Sequence, residues 1–451
     1  MVGGHQMIRL TRRSLLKTGA AQTALLGLPV AAAASDYGDQ FPFEWQRIQL
    51  SNGARLYLAP NSSRHILAQF RVRYGEINER PGEDGLAHVL EHALARGGAG
   101  PHPHERANEI RDALPYENAI TNLNNLAFFA EFNPDQLESF LELMSHAIFA
   151  PRLESEIIEQ ERRRVIEELS GYSSSQGFRH SRQFNAALYG SDHPLVSFDP
   201  EAEMATARRA TQLDLFRFHE RFGRSNLVDL FLVGGLPSNA AWIAEDYLAA
   251  YDTEPGTTKT IPPVPLLTKS HMIGPLEATG LTHGRSQIKL GWNTRVFFGH
   301  PDMAALTLAL RHLKTRLHEV LSERMGMVYS LKVGFEPNAY SASITINAST
   351  QEDPYRVRDV ILDVVDDIRT MPMTSKQLTH RKIRLRFLAS KRMSDNGEVL
   401  ERLERLADYG TSYYETGLGS VSAEEARRAA WRHFPERDGR HVFLIRQGKV
   451  A

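Results

Sequence analysis

His88 and His92 stand four residues apart with Glu91 between them, in the run Gly85-Leu86-Ala87-His88-Val89-Leu90-Glu91-His92-Ala93. On a helix, residues four apart share a face, so both imidazoles can point at one ion. Glu91 precedes His92 directly and is close enough to reach a water held there. The order His-x-x-Glu-His reverses the His-Glu-x-x-His arrangement, in which two imidazoles hold zinc and the carboxylate is the general base. A catalytic zinc needs a third protein ligand and one open position.

A candidate third ligand lies downstream, in the run from Glu154 to Leu169. Ile157, Ile158, Val165, Ile166 and Leu169 form one helical stripe, with Glu161 and Glu168 two turns apart. A carboxylate beside an apolar stripe is costly to bury unless it is paired or bound to a metal. Composition alone reads the same segment equally as a solvated helix of Glu and Arg, and it leaves Glu167 as a competitor of Glu168.

The chain has 18 histidines and no cysteine, so a metal site must be built from His and carboxylates. Thiolate-held zinc, iron–sulfur clusters, thiol nucleophiles and disulfides are excluded. Formal charge is −1, and nothing points to nucleic acid. The densest basic run, Arg381 to Arg386, alternates with apolar residues and reads as a solvated helix face.

The spacing resembles the pitrilysin–insulysin–mitochondrial processing peptidase family of inverted-motif zinc metallopeptidases, in its half-length bacterial form. That family follows His-x-x-Glu-His with Glu-Arg-x-x-Val-x-x-Glu, which Glu161-Arg162-Arg163-Arg164-Val165-Ile166-Glu167-Glu168 matches in register. The resemblance implies one Zn2+ per chain on His88, His92 and Glu168, with Glu91 as catalytic base. Glu161 is implied to orient a ligand histidine. Glu117-Asn118-Ala119-Ile120-Thr121, followed by Ala127-Phe128-Phe129, is similar to the family's substrate-binding edge strand and its aromatic neighbour. Asn118, Ala119 and Phe128 are therefore expected to meet a peptide substrate added along that edge. An ordinary hairpin is the alternative.

The elements that must position these groups are legible in outline. Ile48–Leu58 reads as a β-hairpin turning at Asn52-Gly53, and Ala68–Tyr74 as a third strand. Helices are expected at the His-x-x-Glu-His run, near Glu105–Leu114, from Pro134 to Phe149 and around Glu161. Leu227–Gly235 reads as a buried strand. Residues 252–265, rich in Pro, Gly and Thr, form the clearest linker. Beyond them the order repeats, with strands at Ser286–Trp292, Val328–Phe335 and Ser341–Ile346. Helices are expected at 302–321, 355–368 and 374–390. The expected class is α+β, with two homologous domains that are each a mixed sheet backed by helices. Residues 40–250 would form the zinc domain, 251–270 a linker and 271–451 a domain without zinc.

Thr11-Arg12-Arg13-Ser14-Leu15-Leu16-Lys17 reads as a twin-arginine signal, with small residues suited to cleavage near Ala34. An uncleaved anchor is the alternative. The expectation is a periplasmic protein without a stable membrane anchor.

Two departures from the family pattern stand out. The run after His92 lacks the usual aromatic and threonine. In the second half, the family's Arg-Glu-x-x-Gly-x-x-Tyr becomes Ser322-Glu323-Arg324-Met325-Gly326-Met327-Val328-Tyr329. Tyr329 remains as a candidate substrate contact, with a core strand position as its alternative. The missing arginine implies a homo- or heterodimer with a related chain. The function implied is a zinc endopeptidase acting on peptides or unfolded segments. Its alternative is a non-catalytic or partner-dependent subunit.

Overall fold

The computed structural model describes residues 43–392, 395–410 and 417–448. The twin-arginine segment and its cleavage site lie outside the described residues. Two compact units divide the chain. One comprises residue 43 to Leu169 with Glu201–Thr260, the other Ser170–Pro200 with the residues from Ile261 onward.

The first unit is built on six strands, β1 (Gln46–Gln49), β2 (Arg55–Pro60), β3 (Ile66–Val72), β4 (Tyr116–Thr121), β5 (Leu126–Phe132) and β6 (Val228–Gly234). Their order is β1-β2-β6-β3-β5-β4, and only β2 and β6 run parallel. The expected hairpin is β1–β2. Its turn holds Gly53 at φ +86, where a Cβ would also stand 2.7 Å from Asn226 Cβ, so glycine is required twice over. All seven residues of β6 are buried, as its apolar run, interrupted only by Asp229, implies for a central strand. β4 is an edge strand whose residues alternate between exposed and half-buried.

Helices α1 (Leu86–Arg96), α2 (His104–Asp112), α3 (Leu137–Phe149) and α4 (Ser155–Ser174) follow the expected segments. Four more were not read from the sequence: α5 (Gln176–Tyr189), α6 (Pro200–Arg209), α7 (Gln212–Phe222) and α8 (Ala240–Ala249). α5 belongs to the second unit, although it precedes the linker in sequence. Phe184 and Leu188 of α5 pack with Val442 and Leu444.

The second unit repeats the plan with β7 (His271–Glu277), β8 (Ser286–Thr294), β9 (Val328–Pro337), β10 (Ala342–Thr350) and β11 (Val442–Gln447). The order β7-β11-β8-β10-β9, with only β7 and β11 parallel, matches β2-β6-β3-β5-β4 strand for strand. Its helices are α9 (Met303–Leu317), α10 (Pro354–Thr370), α11 (Ser375–Arg392), α12 (Asn396–Tyr409) and α13 (Ala423–His433). α9 continues as a π-helical turn through His318–Arg324. The sequence reading missed β7 because Gly274-Pro275 interrupts it, which an edge strand tolerates.

One buried ionic cluster ties the first sheet together. Asp229 on β6, fully buried, pairs with Arg55 of β2 at 2.6 Å and Arg71 of β3 at 2.7 Å, with Arg73 at 3.4 Å. Burial alone would push the Asp229 carboxyl up, but the attraction of Arg71 and Arg55 outweighs it and holds the group below its ordinary value. Replacing Asp229 by Ala strands these guanidiniums and is expected to cost about 3–5 kcal/mol, read by urea unfolding. The folded pKa is depressed. The cluster's contribution is therefore complete above the ordinary value of 3.8 and disappears as pH falls from there through the lower folded value. An Asp229→Ala chain as stable as wild type at neutral pH would contradict this.

Candidate metal centre

α1 begins at Gly85, whose φ of +79 allows a left-handed N-cap. A Cβ there would lie 2.6 Å from Glu203 Cγ on α6, so the glycine lets two elements meet closely. The helix has no side-chain N-cap of its own. Glu79 supplies one from outside, accepting from the Gly85 amide at 3.0 Å and the Ala87 amide at 2.8 Å. Burial, reinforced by Glu76 and Glu203, nevertheless pushes the Glu79 carboxyl up to about 8. Burial and Glu203 likewise push Glu76 up to about 7.

Along α1, Val89, Leu90, Ala93 and Leu94 are buried, which turns His88 and His92 toward α4. Both Nε2 atoms face one carboxylate oxygen, with Glu168 Oε2 at 3.7 Å from His88 and 3.8 Å from His92. One donor atom from each of these three residues lies within 4.8 Å of the other two. Zinc–nitrogen and zinc–oxygen bonds of about 2.0–2.2 Å in a tetrahedron place donors about 3.4 Å apart. A small contraction closes the set around one ion. Two imidazoles and a carboxylate suit zinc, and they form the only such cluster among the described residues. Glu168 is half exposed, leaving one side open to water. Glu167, also exposed, is not in the cluster.

The outer nitrogens are held as well. His92 Nδ1 lies 3.2 Å from Glu161 Oε2, and Glu161 is 2% exposed with Arg164 donating to its other oxygen at 2.6 Å. A buried carboxylate at Nδ1 leaves Nε2 free for a metal. Arg162 donates to the carbonyls of Ala207 and Arg208 at the end of α6, tying α4 to the helix that carries Glu203. Glu203 Oε2 stands 3.9 Å from His88 Nδ1. Burial would lower the His88 pKa, but Glu203, Glu91 and Glu168 together raise it. A proton therefore competes with any cation there.

Glu91 is 7% exposed and accepts from Thr121 Oγ1 at 2.8 Å. Arg96 of α1 pairs with Glu117 of β4 at 2.9 Å. Two contacts thus pin the helix to the edge strand and hold the carboxylate beside it. Ala119 is half-buried on the face shared with Glu117 and Thr121. Asn118 is exposed, and its Oδ1 accepts from the Ala119 amide at 2.9 Å.

The sequence reading is corrected at Phe128. It is 2% exposed, opposite Phe70 on β3, and packs within the core. Strand alternation gives the half-buried position to Phe129, whose ring lies 6.2 Å from Tyr116. Tyr329, in the second unit, is 63% exposed on edge strand β9 and is no core residue. Its hydroxyl contacts Gln351, and the Arg285 guanidinium lies over its ring. Glu203 and Thr121 were given no role from sequence. Nothing in local spacing links Glu203 to α1, since α6 lies far along the chain.

His88→Ala, His92→Ala and Glu168→Ala are each expected to abolish zinc binding by calorimetric titration, whereas Glu167→Ala retains it. Loss of the metal in Glu167→Ala with retention in Glu168→Ala would reverse the assignment.

Comparison with known proteins places these features in context. A model described as insulinase (peptidase family M16) matches residues 60–193, and one described as the peptidase M16 inactive domain matches residues 209–385. The stromal processing peptidase of Oryza sativa subsp. indica is 27% identical over 197 residues, covering 42% of this chain and 15% of that protein. Protease 3 of Escherichia coli K12 is 24% identical over 332 residues, covering 71% of this chain and 34% of that protein. The chain therefore corresponds to only part of these longer relatives. Among solved structures, the first half of the periplasmic protease PqqL from Escherichia coli superposes with a TM-score of 0.77 at 15% identity. That match covers 90% of this chain and 93% of the other, a likeness of fold.

Proposed function

The chain belongs to the M16 peptidase family, and from its metal-ligand cluster we propose that it is a zinc-dependent endopeptidase of peptides or unfolded segments. The observation that carries this reading is the meeting of His88, His92 and Glu168, with Glu91 held at their side by Thr121. A chain that merely kept the fold would have no physical reason to bury Glu91 beside an edge strand.

When bound, zinc supplies Lewis-acid polarisation of the scissile carbonyl and acidifies a water. Everything else falls to the chain. Glu161 fixes His92 with Nε2 forward. Thr121 donates to one Glu91 oxygen, leaving the other to take the proton of the attacking water and pass it to the leaving amine. The outer edge of β4, at Asn118 and Ala119, offers backbone groups to an extended peptide. Recognition through the backbone makes side-chain preference weak. For Ala119, the peptide must displace the Asn118 side-chain oxygen, Oδ1, that now accepts from its amide.

A second reading, a partner-dependent subunit, draws on Ser322, which stands where related chains carry an arginine. Transition-state charge stabilisation is commonly a large catalytic term. We expect pairing with a related chain that supplies the arginine, or with a second copy. Purified alone, the chain is expected to cleave a mixed peptide pool weakly. Adding the related chain should restore cleavage that chelator and Glu91→Gln each abolish, Glu91→Gln without loss of metal. Full activity as a monomer, unchanged by Ser322→Arg, would contradict the pairing. Cleavage surviving in Glu91→Gln would contradict the mechanism.

The proposed location is the periplasm, reached by twin-arginine export. PqqL, which shares the fold, is a periplasmic protease. Among the described residues no helix is long and apolar enough to cross a membrane. Arg12→Lys with Arg13→Lys is expected to hold the precursor in the cytoplasm, while the wild-type periplasmic form begins near residue 35. Mass spectrometry of a periplasmic fraction showing a chain that still begins at Met1 would refute cleavage.

A further inference from the structure

The sheet of the second unit buries one face, where Ile288, Ile344, Ile346, Phe443 and Ile445 pack with α9, α10 and α13. The other face is only part covered. Phe184 and Leu188 of α5 rest on Val442 and Leu444 of β11, while Ser330 and Lys332 of β9 stay exposed. Between them lies a pocket of about 360 Å³. Strand register lays its floor in two rows. Lys332 of β9, Asn347 of β10 and Lys289 of β8 stand opposite one another. Beside them run Ser330, Ser349, Gln287 and, on β11, Arg446. All of these line the pocket, and no Asp or Glu does.

The cations are placed there without counter-charge. Arg446 is held by neutral acceptors, donating from Nε to His180 Nδ1 and from Nη1 to Gln287 Oε1, both at 3.1 Å. Burial lowers the His180 pKa, and Arg446 and Arg179 add to that, which keeps the imidazole an acceptor. Lys289 Nζ lies 4.3 Å from the centre of the Phe184 ring. Burial lowers its pKa, and Glu336 offsets that only in part. Glu336 stands four residues along β9 from Lys332 and is not among the lining residues. Among the described residues Lys289, Lys332 and Arg446 form no ion pair.

Like charges gathered in this way repel one another, and a bound anion relieves that repulsion. We propose that this pocket binds a small multivalent oxyanion, with Lys289, Lys332 and Arg446 meeting its charge and Asn347, Ser330 and Ser349 donating to its oxygens. Lys332 and Lys289 are two strand spacings apart, about 10 Å between backbones. An anion charged at both ends therefore suits them better than a monovalent one. The helix α5 walls one side, which suits a small anion better than a polymer. Phosphate and carboxylate groups both offer the required oxygens. The pocket lies in a different unit from His88, His92 and Glu168.

Thermal unfolding of the full His88→Ala chain tests this, because an anion then has no zinc centre to act through. Pyrophosphate or citrate is expected to raise the melting temperature, by less as salt rises. A response to pyrophosphate alone assigns the pocket to phosphates, and one to citrate alone assigns it to carboxylates. Lys289→Gln with Lys332→Gln is expected to weaken binding about tenfold or more, read by calorimetric titration. Asn347→Asp leaves both lysines in place and sets a carboxylate between them. It is expected to raise the melting temperature by itself and to remove the response to anions. No response to either anion, or an equal response in the parent, the double variant and Asn347→Asp, would overturn the proposal. So would oligoglutamate that binds through Lys289 and Lys332 while neither small anion does.

Discussion

The chemistry of this chain depends on carboxylates being held against two imidazoles in a partly buried place. His88 and His92 share a face of α1, and α4 brings Glu168 to their inner nitrogens and Glu161 to the outer nitrogen of His92. Carboxylates so placed are costly unless they are paired with a cation or hydrogen-bonded. Arg164 answers for Glu161 and Thr121 for Glu91, while Glu168 is half exposed and keeps one side in water. The rest of the first unit serves that geometry. Glu79 caps the helix, Gly85 lets α6 approach, and Arg162 fixes α6 to α4.

The two sheets share one strand order and one pattern of parallel and antiparallel pairs, yet among the described residues the His88, His92 and Glu168 cluster belongs to the first unit alone. The reason is visible on the corresponding helix. α9 is apolar along most of its length, and its single histidine, His312, is buried and driven down to about 4 by burial and by Arg381 and Arg316. No second imidazole stands one turn away. Where α4 bears Glu161 and Glu168, α11 contains no acidic residue.

Much of this was readable from the chain. The ligand helix, the Glu161/Glu168 helix, the Asn52-Gly53 hairpin and the buried β6 all announce themselves through short-range spacing and period. Family resemblance chose Glu168 over Glu167, a choice that composition left open and that the cluster geometry favours. What stayed hidden depends on long-range contact. Glu203 reaches His88 from more than a hundred residues away, and α5 packs with strands that lie far beyond the linker. Phe128 and Phe129 are neighbours of one type, and only sheet register tells which is core. The Asp229 cluster joins three strands whose order sequence does not give.

The central claim is that two imidazoles and one carboxylate of this single unit bind zinc and leave a position open. X-ray absorption at the zinc edge of the purified chain tests it most directly. The account predicts four light-atom neighbours at about 2.0–2.1 Å with the outer-shell signature of two imidazoles, and loss of one oxygen scatterer in Glu168→Ala if any metal is retained. A shell with a single imidazole, or one unaltered by the Glu168 substitution, would contradict it.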